Sequence, residues 1–469
     1  MIYLHVPFCE SRCTYCGFFS VVPSSAILGD SGGDSSHRLP VASRPYPGKW
    51  SADGNVASCD EGASRLKVSC FEAYADAVCE EIERRRDEIA KALSVNTLYI
   101  GGGTPSVLPL DILSRIIRSI VSPLEGAAPP NPPRFALRPV SPAASHPFMW
   151  PRAATGSAGA PLPSGGALKW QWEEFTFEMN PEDIVEKGEE YVRGLVELGV
   201  NRISMGIQSF NDDILRWMNR RHDSAGAEEA FRILRQCGVS NISIDLIFGL
   251  PQLTESIWAD TVEKALALAP EHISAYQLSV EEGSALERMI SRGIFTEAAD
   301  EQCRWQYDYL CSRLSEAGYR HYEISNFALP GREAIHNSAY WRRVPYVGLG
   351  PGAHSLSAGS VRSWNSRDLP RRLQDGSLTT YYREEEHLTP EDIRVERIML
   401  PLRTDMGLPE SELRALAGDE SVDRLLASGA LVQCHPERVP EPVEGRGEGS
   451  LRIPEDHFFI ADDIIRELI

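Results

Sequence analysis

The stretch IYLHVPFCESRCTYC, residues 2–16, joins an apolar run to three closely spaced cysteines. Residues 2–6 predict a buried strand, and Cys9, Cys13 and Cys16 follow in the loop after it. A structural zinc ion normally takes four ligands, and no fourth Cys or His follows at zinc-finger spacing. Chance clustering or a redox pair explains three thiols only weakly. An iron–sulfur cluster with one iron open to an external ligand fits the spacing best.

Composition excludes several classes of protein. The chain has 469 residues and a formal net charge of −20, so electrostatic attraction to nucleic acid or anionic lipid does not drive its function. No apolar run reaches the roughly 18 residues of a membrane span, and the first residues lack the features of a signal peptide. We therefore expect a cytoplasmic protein. Its seven scattered cysteines are interpreted as reduced thiols that act as small buried hydrophobic residues: Cys59, Cys70, Cys79, Cys237, Cys303, Cys311 and Cys434.

The order of predicted elements indicates an α/β fold. Apolar, β-branched runs alternate with helical patterns, which is typical of a parallel sheet built from right-handed βαβ units. Chemically distinctive segments follow several of these strands, where parallel α/β folds place their active sites. The predicted strands are 2–6, 95–100, 174–179, 202–207, 242–248 and 272–278, and the helices are 71–93, 110–121, 184–198, 225–237 and 256–269.

Low-complexity stretches interrupt this alternation. Residues 22–69 are rich in Ser, Gly, Asp and Pro, and residues 122–172 contain eleven prolines. Both are interpreted as loop or disordered insertions, and residues 435–450 look the same.

The remaining chain is divided into three predicted domains. They are a barrel core over 1–280, a barrel extension over 281–376 and a C-terminal domain over 377–469. From residue 388 onward the last of these reads as two helices, a strand pair at 430–432 and 457–460, and a helix over 462–468. This order predicts a small winged-helix-like α+β domain.

A glycine-rich segment, GGGTP at 101–105, follows the second predicted strand. It lacks the lysine of a phosphate-binding loop, and no GxGxxG dinucleotide fingerprint is present. Glycine exposes backbone N–H and C=O groups to a ligand, so this loop suits an amino-acid moiety with a free ammonium and carboxylate.

Four polar side chains lie at or within predicted strands and the segments after them. Glu178, Gln208 and Arg220 would each be read singly as surface or structural residues. Asp245 is the exception, because a carboxylate in a strongly apolar strand is costly without partners. Together the four suit ribose hydroxyls, a ligand ammonium and a ligand carboxylate.

The segment HNSAYW at 336–341 contains the one histidine singled out as a candidate ligand. A single histidine is more often a structural residue than a metal ligand. Here Tyr340 and Trp341 could form a flat apolar wall, and a neutral imidazole is a good ligand for haem iron.

With these residues in view, the sequence resembles the radical S-adenosylmethionine (SAM) superfamily and, within it, the oxygen-independent coproporphyrinogen III oxidase-like branch. CESRCTYC fits the superfamily pattern CxxxCxxC, with Tyr15 before the third cysteine. GGGTPS, EMNPED, GIQSF, NRRH, DLIFGLP and AYQLS follow in the order of the branch. The likeness covers nearly all of the chain outside the two long insertions.

This resemblance implies a partial (β/α)6 TIM-like barrel and a [4Fe–4S] cluster on Cys9, Cys13 and Cys16. SAM would chelate the open iron, and the chemistry would belong to these cofactors rather than to an assigned catalytic residue. Carried over by position, the SAM-binding residues would be Tyr3, Gly102, Gly103, Thr104, Glu178, Gln208, Arg220 and Asp245.

Within the branch, the residues favour the haem-chaperone type over the oxidase. Oxidases carry a fourth cysteine two residues after the third, where this chain has Phe18, and a long segment ahead of the motif. HNSAYW resembles the HNxxYW motif associated with haem binding, which makes His336 the candidate ligand of haem iron. The implied partners are haem, haem-acceptor proteins such as respiratory enzymes and an electron donor, with membrane contact only through partners.

Two alternatives stay open. One is an oxidase that decarboxylates coproporphyrinogen III propionates in porphyrin biosynthesis. The other is a degenerate homologue inactivated by its insertions, since residues 22–69 directly follow the cysteine loop.

Overall fold

The computed structural model describes residues 1–23, 61–122, 124, 170–358, 360–373, 375–434 and 449–469. Most of the predicted insertions at 22–69 and 122–172, and nearly all of 435–450, lie outside the described residues. The insertion prediction was wrong for residues 61–69, because helix α1 (Glu61–Arg84) begins ten residues before the predicted start. That stretch, EGASRLKVS, contains Glu, Ala, Arg, Leu and Lys, which are strong helix formers.

A nine-stranded sheet forms the centre of the molecule. Six of its strands run parallel and in chain order, which confirms the predicted partial barrel. They are β1 (Ile2–Val6), β2 (Thr97–Gly102), β3 (Glu174–Met179), β4 (Arg202–Gln208), β5 (Ile242–Phe248) and β6 (His272–Gln277). At one edge β6 pairs antiparallel with β8 (Asn326–Ala328), which pairs with β7 (Arg320–Glu323). At the other edge β9 (Val347–Leu349) runs parallel to β1.

Helices cover the sheet and bury its outer face. The predicted helix over 71–93 is two helices, separated at Arg85, whose guanidinium is buried between them and β9. A continuous apolar core joins the strands to the helices, and Trp258 and Phe177 are fully buried in it. The further helices of this part are α2 (Arg86–Ala92), α3 (Leu110–Val121), α4 (Pro181–Glu197), α5 (Asp212–Trp217), α6 (Ser224–Gln236), α7 (Glu255–Leu268), α8 (Ala285–Ser291), α9 (Asp300–Glu316) and α10 (Ile335–Trp341).

Two small antiparallel sheets follow β9. One is formed by β10 (His354–Leu356), β11 (Val361–Asn365) and β14 (Arg383–His387), and the other is the hairpin of β12 (Arg371–Arg372) and β13 (Leu378–Thr379). Both pairings cross residue 376, where a domain limit is predicted. The chain before residue 376 and the chain after it therefore share two sheets. The three-domain division stays a prediction.

The C-terminal part contains helices α11 (Pro390–Leu402), α12 (Glu410–Ala417), α13 (Asp419–Ser428) and α14 (Ala461–Arg466). Its sheet has the order β15 (Leu408–Pro409), β17 (Ser450–Arg452), β16 (Val432–Gln433). The predicted strand at 457–460 was wrong: Glu455–Ile460 is a 3-10 helix that buries Phe458. A short apolar run does not distinguish a strand from a buried helical turn.

Candidate functional site

A cavity of about 700 Å³ lies inside the partial barrel and opens beside the loop that carries the three cysteines. The ends of β1 to β6 surround its mouth, because parallel strands bring their carboxyl ends to one edge. Side chains from the first residues of two strands, Arg202 and His272, also line it, so the cavity extends along the strands toward their amino ends.

Cys9, Cys13 and Cys16 all line this cavity at its mouth. The backbone N–H of Cys9 donates to the Val21 carbonyl at 3.0 Å, which ties the loop to its own return segment. Burial raises the pKa of the Cys9 thiol and raises that of Cys16 to about 11. Binding of a metal cluster would therefore have to displace protons from these thiols.

The loop is also anchored to its surroundings on both sides. Thr14 donates from its hydroxyl to the Trp217 carbonyl at 2.9 Å, and its own carbonyl accepts from the Leu286 N–H at 2.9 Å. On the inner side, His5 Nε2 donates to the Phe19 carbonyl at 2.9 Å. Tyr3 supports that contact from behind, since its hydroxyl lies 3.0 Å from His5 Nδ1. Tyr3 does not line the cavity, whereas the other seven predicted SAM-binding residues do.

Gly102 brings the backbone of the predicted glycine loop against a carboxylate. Its N–H donates to Glu178 Oε2 at 3.0 Å. Its φ of +113° lies in the region that favours glycine, and a Cβ there would stand 2.4 Å from His5 Nδ1. Gly103 and Thr104 follow at the mouth, where the Thr104 hydroxyl lies 3.5 Å from Cys9 Sγ.

Two partly buried carboxylates, Glu178 and Asp245, line the cavity from strands β3 and β5. Burial raises the pKa of Glu178 to about 7 and that of Asp245 to about 6, with the proximity of Asp245 adding to the shift at Glu178. Glu178 Oε1 accepts from the Tyr99 hydroxyl at 2.6 Å. The cavity therefore contains acids that a bound cation would readily hold in their ionised form.

Arg220 places a buried guanidinium between the carboxylates and the cysteine loop. It donates from Nη1 to Cys13 Sγ at 3.4 Å and from Nη2 to Asn180 Oδ1 and the Gly206 carbonyl, both at 2.7 Å. Among the described residues its Nε has no hydrogen-bond partner. Gln208, at the end of β4, has a φ of +69°, a strained backbone for glutamine, and its side chain turns back toward Gly206.

His336 lies in α10, away from the cysteine loop. Its ring is fully buried, with Nδ1 2.8 Å from the Thr97 hydroxyl and Nε2 3.0 Å from the Tyr340 hydroxyl. Burial lowers its pKa to about 3, so the ring is neutral. Both nitrogens have partners in this conformation, and an iron atom would have to replace one of them.

The structure adds cavity residues that the sequence interpretation did not select. Tyr99 holds Glu178, Asn180 holds Arg220, and Arg202 contributes a second buried guanidinium. Asn180 belongs to the segment EMNPED quoted above. Tyr99 lies in β2 between buried apolar residues. A polar residue within an otherwise apolar strand is the sequence feature by which such cavity residues could have been found.

The chain matches a known family over more than half of its length. The family described as the radical SAM superfamily matches residues 3–265, more than half of the chain. The chain belongs to the radical SAM superfamily.

Several relatives of this radical SAM chain carry the name haem chaperone HemW. It is 28% identical over 470 residues to the "Heme chaperone HemW" of Mycobacterium tuberculosis, covering 100% of this chain and 94% of that one. It is 28% identical over 406 residues to the HemW of Lactococcus lactis, covering 87% and 82%. Among solved structures, coproporphyrinogen III oxidase (HemN) from Escherichia coli matches with a TM-score of 0.63 and 17% identity, covering 100% of this chain and 89% of that one. That match shows a shared fold.

The residues of the site fit the cofactors that the radical SAM family implies. Arg220 Nε and Thr176 Oγ1 are buried polar atoms at the cavity for which the described part of the chain supplies no hydrogen-bond partner. Within the same residues, no three His, Cys, Asp or Glu side chains converge on a single metal ion. A four-iron cluster would instead bind each thiolate through a different iron. In the described ranges no helix is long and apolar enough to cross a membrane.

Proposed function

We propose that this chain is a haem chaperone of the HemW type. It would hold a [4Fe–4S] cluster on Cys9, Cys13 and Cys16, bind SAM in the cavity behind them, and deliver haem to acceptor proteins in the cytoplasm. HemW relatives aligned over 82% to 94% of their own length support this proposal. The choice of chaperone over oxidase rests on Phe18, because the oxidases that the chain resembles have a fourth cysteine at this position.

Different residues of the cavity would bind different groups of SAM. When bound, the cluster supplies the electron that cleaves the sulfonium of SAM. Ionised Glu178 would accept hydrogen bonds from the ligand ammonium, and Arg220 would attract the ligand carboxylate. Asp245 would accept from ribose hydroxyls. The Thr14 contacts hold the cysteine loop at the mouth of this site.

Anaerobic reconstitution tests the cluster and the function on one preparation. We expect the wild type to take up iron and sulfide and to bind haem, without converting coproporphyrinogen III to protoporphyrinogen IX. Robust conversion would overturn the chaperone assignment in favour of the oxidase. Cys13→Ala should abolish cluster reconstitution, and Cys237→Ala is the matched control because its thiol lies outside the cavity. Full iron content in Cys13→Ala would refute the cluster site.

Ligation of haem iron by His336 stays a prediction, and it requires Nε2 to leave Tyr340 or Nδ1 to leave Thr97. Haem titration of His336→Ala and Tyr340→Phe separates this role from a structural one. If His336 is the ligand, His336→Ala loses haem affinity and changes the haem spectrum. Tyr340→Phe, which removes the hydroxyl beside Nε2, keeps haem affinity. An unchanged spectrum in His336→Ala would remove His336 from the haem site.

A further inference from the structure

Phe18 is an aromatic ring that the described part of the chain leaves largely uncovered. Its side chain lines the mouth of the cavity and is 71% exposed, two residues after Cys16. Its neighbour Phe19 turns inward and packs against His5, with ring centroids 6.1 Å apart. Unlike the exposed Ile294, Phe18 lines the cavity, so its ring adds to the apolar surface at the mouth.

The exposure of Phe18 does not come from a loose loop. On one side the Phe19 carbonyl is held by His5 Nε2. On the other side Gly17 packs so tightly that a Cβ there would stand 2.6 Å from the Cβ of Glu281. The loop thus has a contact on each side of the ring, and a contact surface that is already ordered binds at a lower entropic cost.

Arg12 places a positive charge on the same loop. Its side chain is exposed, lines the cavity and donates to the Ser20 carbonyl. Within the described residues it forms no ion pair with a carboxylate, although most other arginines there do. Across the mouth, Tyr276 and Leu278 add apolar surface to the lining. The mouth therefore combines an exposed ring, apolar walls and an available guanidinium.

We propose that Phe18 and Arg12 form the docking surface for haem, with the macrocycle against the Phe18 ring and a propionate on Arg12. This inference rests on the proposed haem-chaperone function and assigns the haem contact within it. A planar apolar macrocycle with a carboxylate edge matches the two side chains, since aromatic faces stack and guanidinium binds carboxylate in a fork. Docking at the mouth needs no ligand from His336, which lies in α10.

Haem titration of the reconstituted full chain, followed by absorbance, tests the docking surface. Phe18→Ala should weaken haem binding about tenfold, whereas Phe18→Tyr keeps the ring and should bind like the wild type. Arg12→Gln should weaken the binding of haem but not of haem with esterified propionates. Ile294→Ala is the matched control, because Ile294 is 63% exposed and does not line the cavity.

The outcomes separate this inference from the proposed function. If the reconstituted wild type binds no haem, the chaperone proposal itself fails. If the wild type binds haem and Phe18→Ala binds it equally well at equal iron content, the docking surface is refuted. Equal losses in Phe18→Ala and Ile294→Ala would also refute it. If Phe18→Ala loses iron, Phe18→Leu gives a second measurement, because it keeps an apolar side chain without the ring. Unchanged haem affinity in Phe18→Leu would overturn the stacking contact.

Discussion

At the scale of single residues, the site depends on two carboxylates, Glu178 and Asp245, whose pKa values burial raises toward neutral pH. Glu178 is held by the Tyr99 hydroxyl and the Gly102 N–H, and it faces Asp245 across the cavity. Each of these two acids raises the free energy of ionising the other when both lack a cation. A ligand ammonium removes that cost, so the pair favours a positively charged ligand.

Affinity for SAM should therefore fall as the pH falls. The pKa of Glu178 is raised to about 7, so the side chain is mostly ionised at pH 8 and mostly protonated at pH 6. Binding of an ammonium requires the ionised form, and affinity should drop by up to about tenfold per pH unit below the pKa. Equilibrium dialysis of SAM against reconstituted protein measures this. Glu178→Gln should bind weakly at pH 8 with a flatter pH profile, and Glu282→Gln, an exposed control, should match the wild type. A Glu178→Gln variant with wild-type affinity and pH profile would contradict the role.

At the scale of elements, α10 is fixed to the barrel by its first turn. The buried carboxylate of Glu174, at the start of β3, accepts from the N–H groups of Ile335 and His336 at 2.8 and 3.0 Å. The next residue, Asn337, lines the cavity. The helix that contains the HNSAYW segment is therefore attached at the amino ends of the strands, while the cysteines lie at the carboxyl ends.

Removal of the Glu174 carboxylate should loosen α10 selectively. Glu174→Ala leaves two buried N–H groups without acceptors, which should lower the free energy of unfolding by about 1–3 kcal/mol. Urea denaturation measures the loss, and hydrogen exchange should show faster exchange in α10 than in β5. Glu173→Ala is the matched control, because Glu173 directly precedes Glu174 and its side chain is exposed. Equal stability of both variants would show that Glu174 does not hold the helix.

At the scale of the whole molecule, one buried carboxylate joins the barrel to the segments after it. Glu81 in α1 accepts from Arg85, from the Gly350 N–H, from Asn365 and from Tyr381. These donors lie up to 300 residues from Glu81 in sequence. Arg85 extends the network to the Gly348 carbonyl at 2.6 Å. The sheet of β10, β11 and β14 is thereby attached to the helix beside β1.

Glu81→Ala should destabilise the whole chain strongly. It leaves the buried Arg85 without its principal carboxylate, and breaking a buried ion pair from one side costs about 3–5 kcal/mol. Thermal and urea unfolding measure the effect, and proteolysis should cut earlier within residues 350–381 than in the wild type. Glu80→Ala, exposed on the same helix, should change stability by less than about 0.5 kcal/mol. A Glu81→Ala loss no larger than that of Glu80→Ala would disprove the role of this network.

The amino-acid sequence determined those features that depend on local pattern. Strands β1, β3 and β5 have their predicted limits, because a buried parallel strand is a continuous apolar run between turn residues. Seven of the eight predicted SAM-binding residues line one cavity, because parallel strands bring their ends together whatever the intervening sequence. Tyr3 is the exception: it does not line the cavity, and its hydroxyl lies 3.0 Å from His5 Nδ1.

Only the tertiary structure decided the contacts between distant segments. Arg220 meets Cys13 across 207 residues, and His336 meets Thr97 across 239, pairings that no local pattern encodes. The same holds for residues 455–460, where burial of Phe458 against the core selects a helical turn over a strand. Local periodicity determines which elements form. The packing of those elements determines which polar groups find partners and which apolar side chains, like the ring of Phe18, stay exposed.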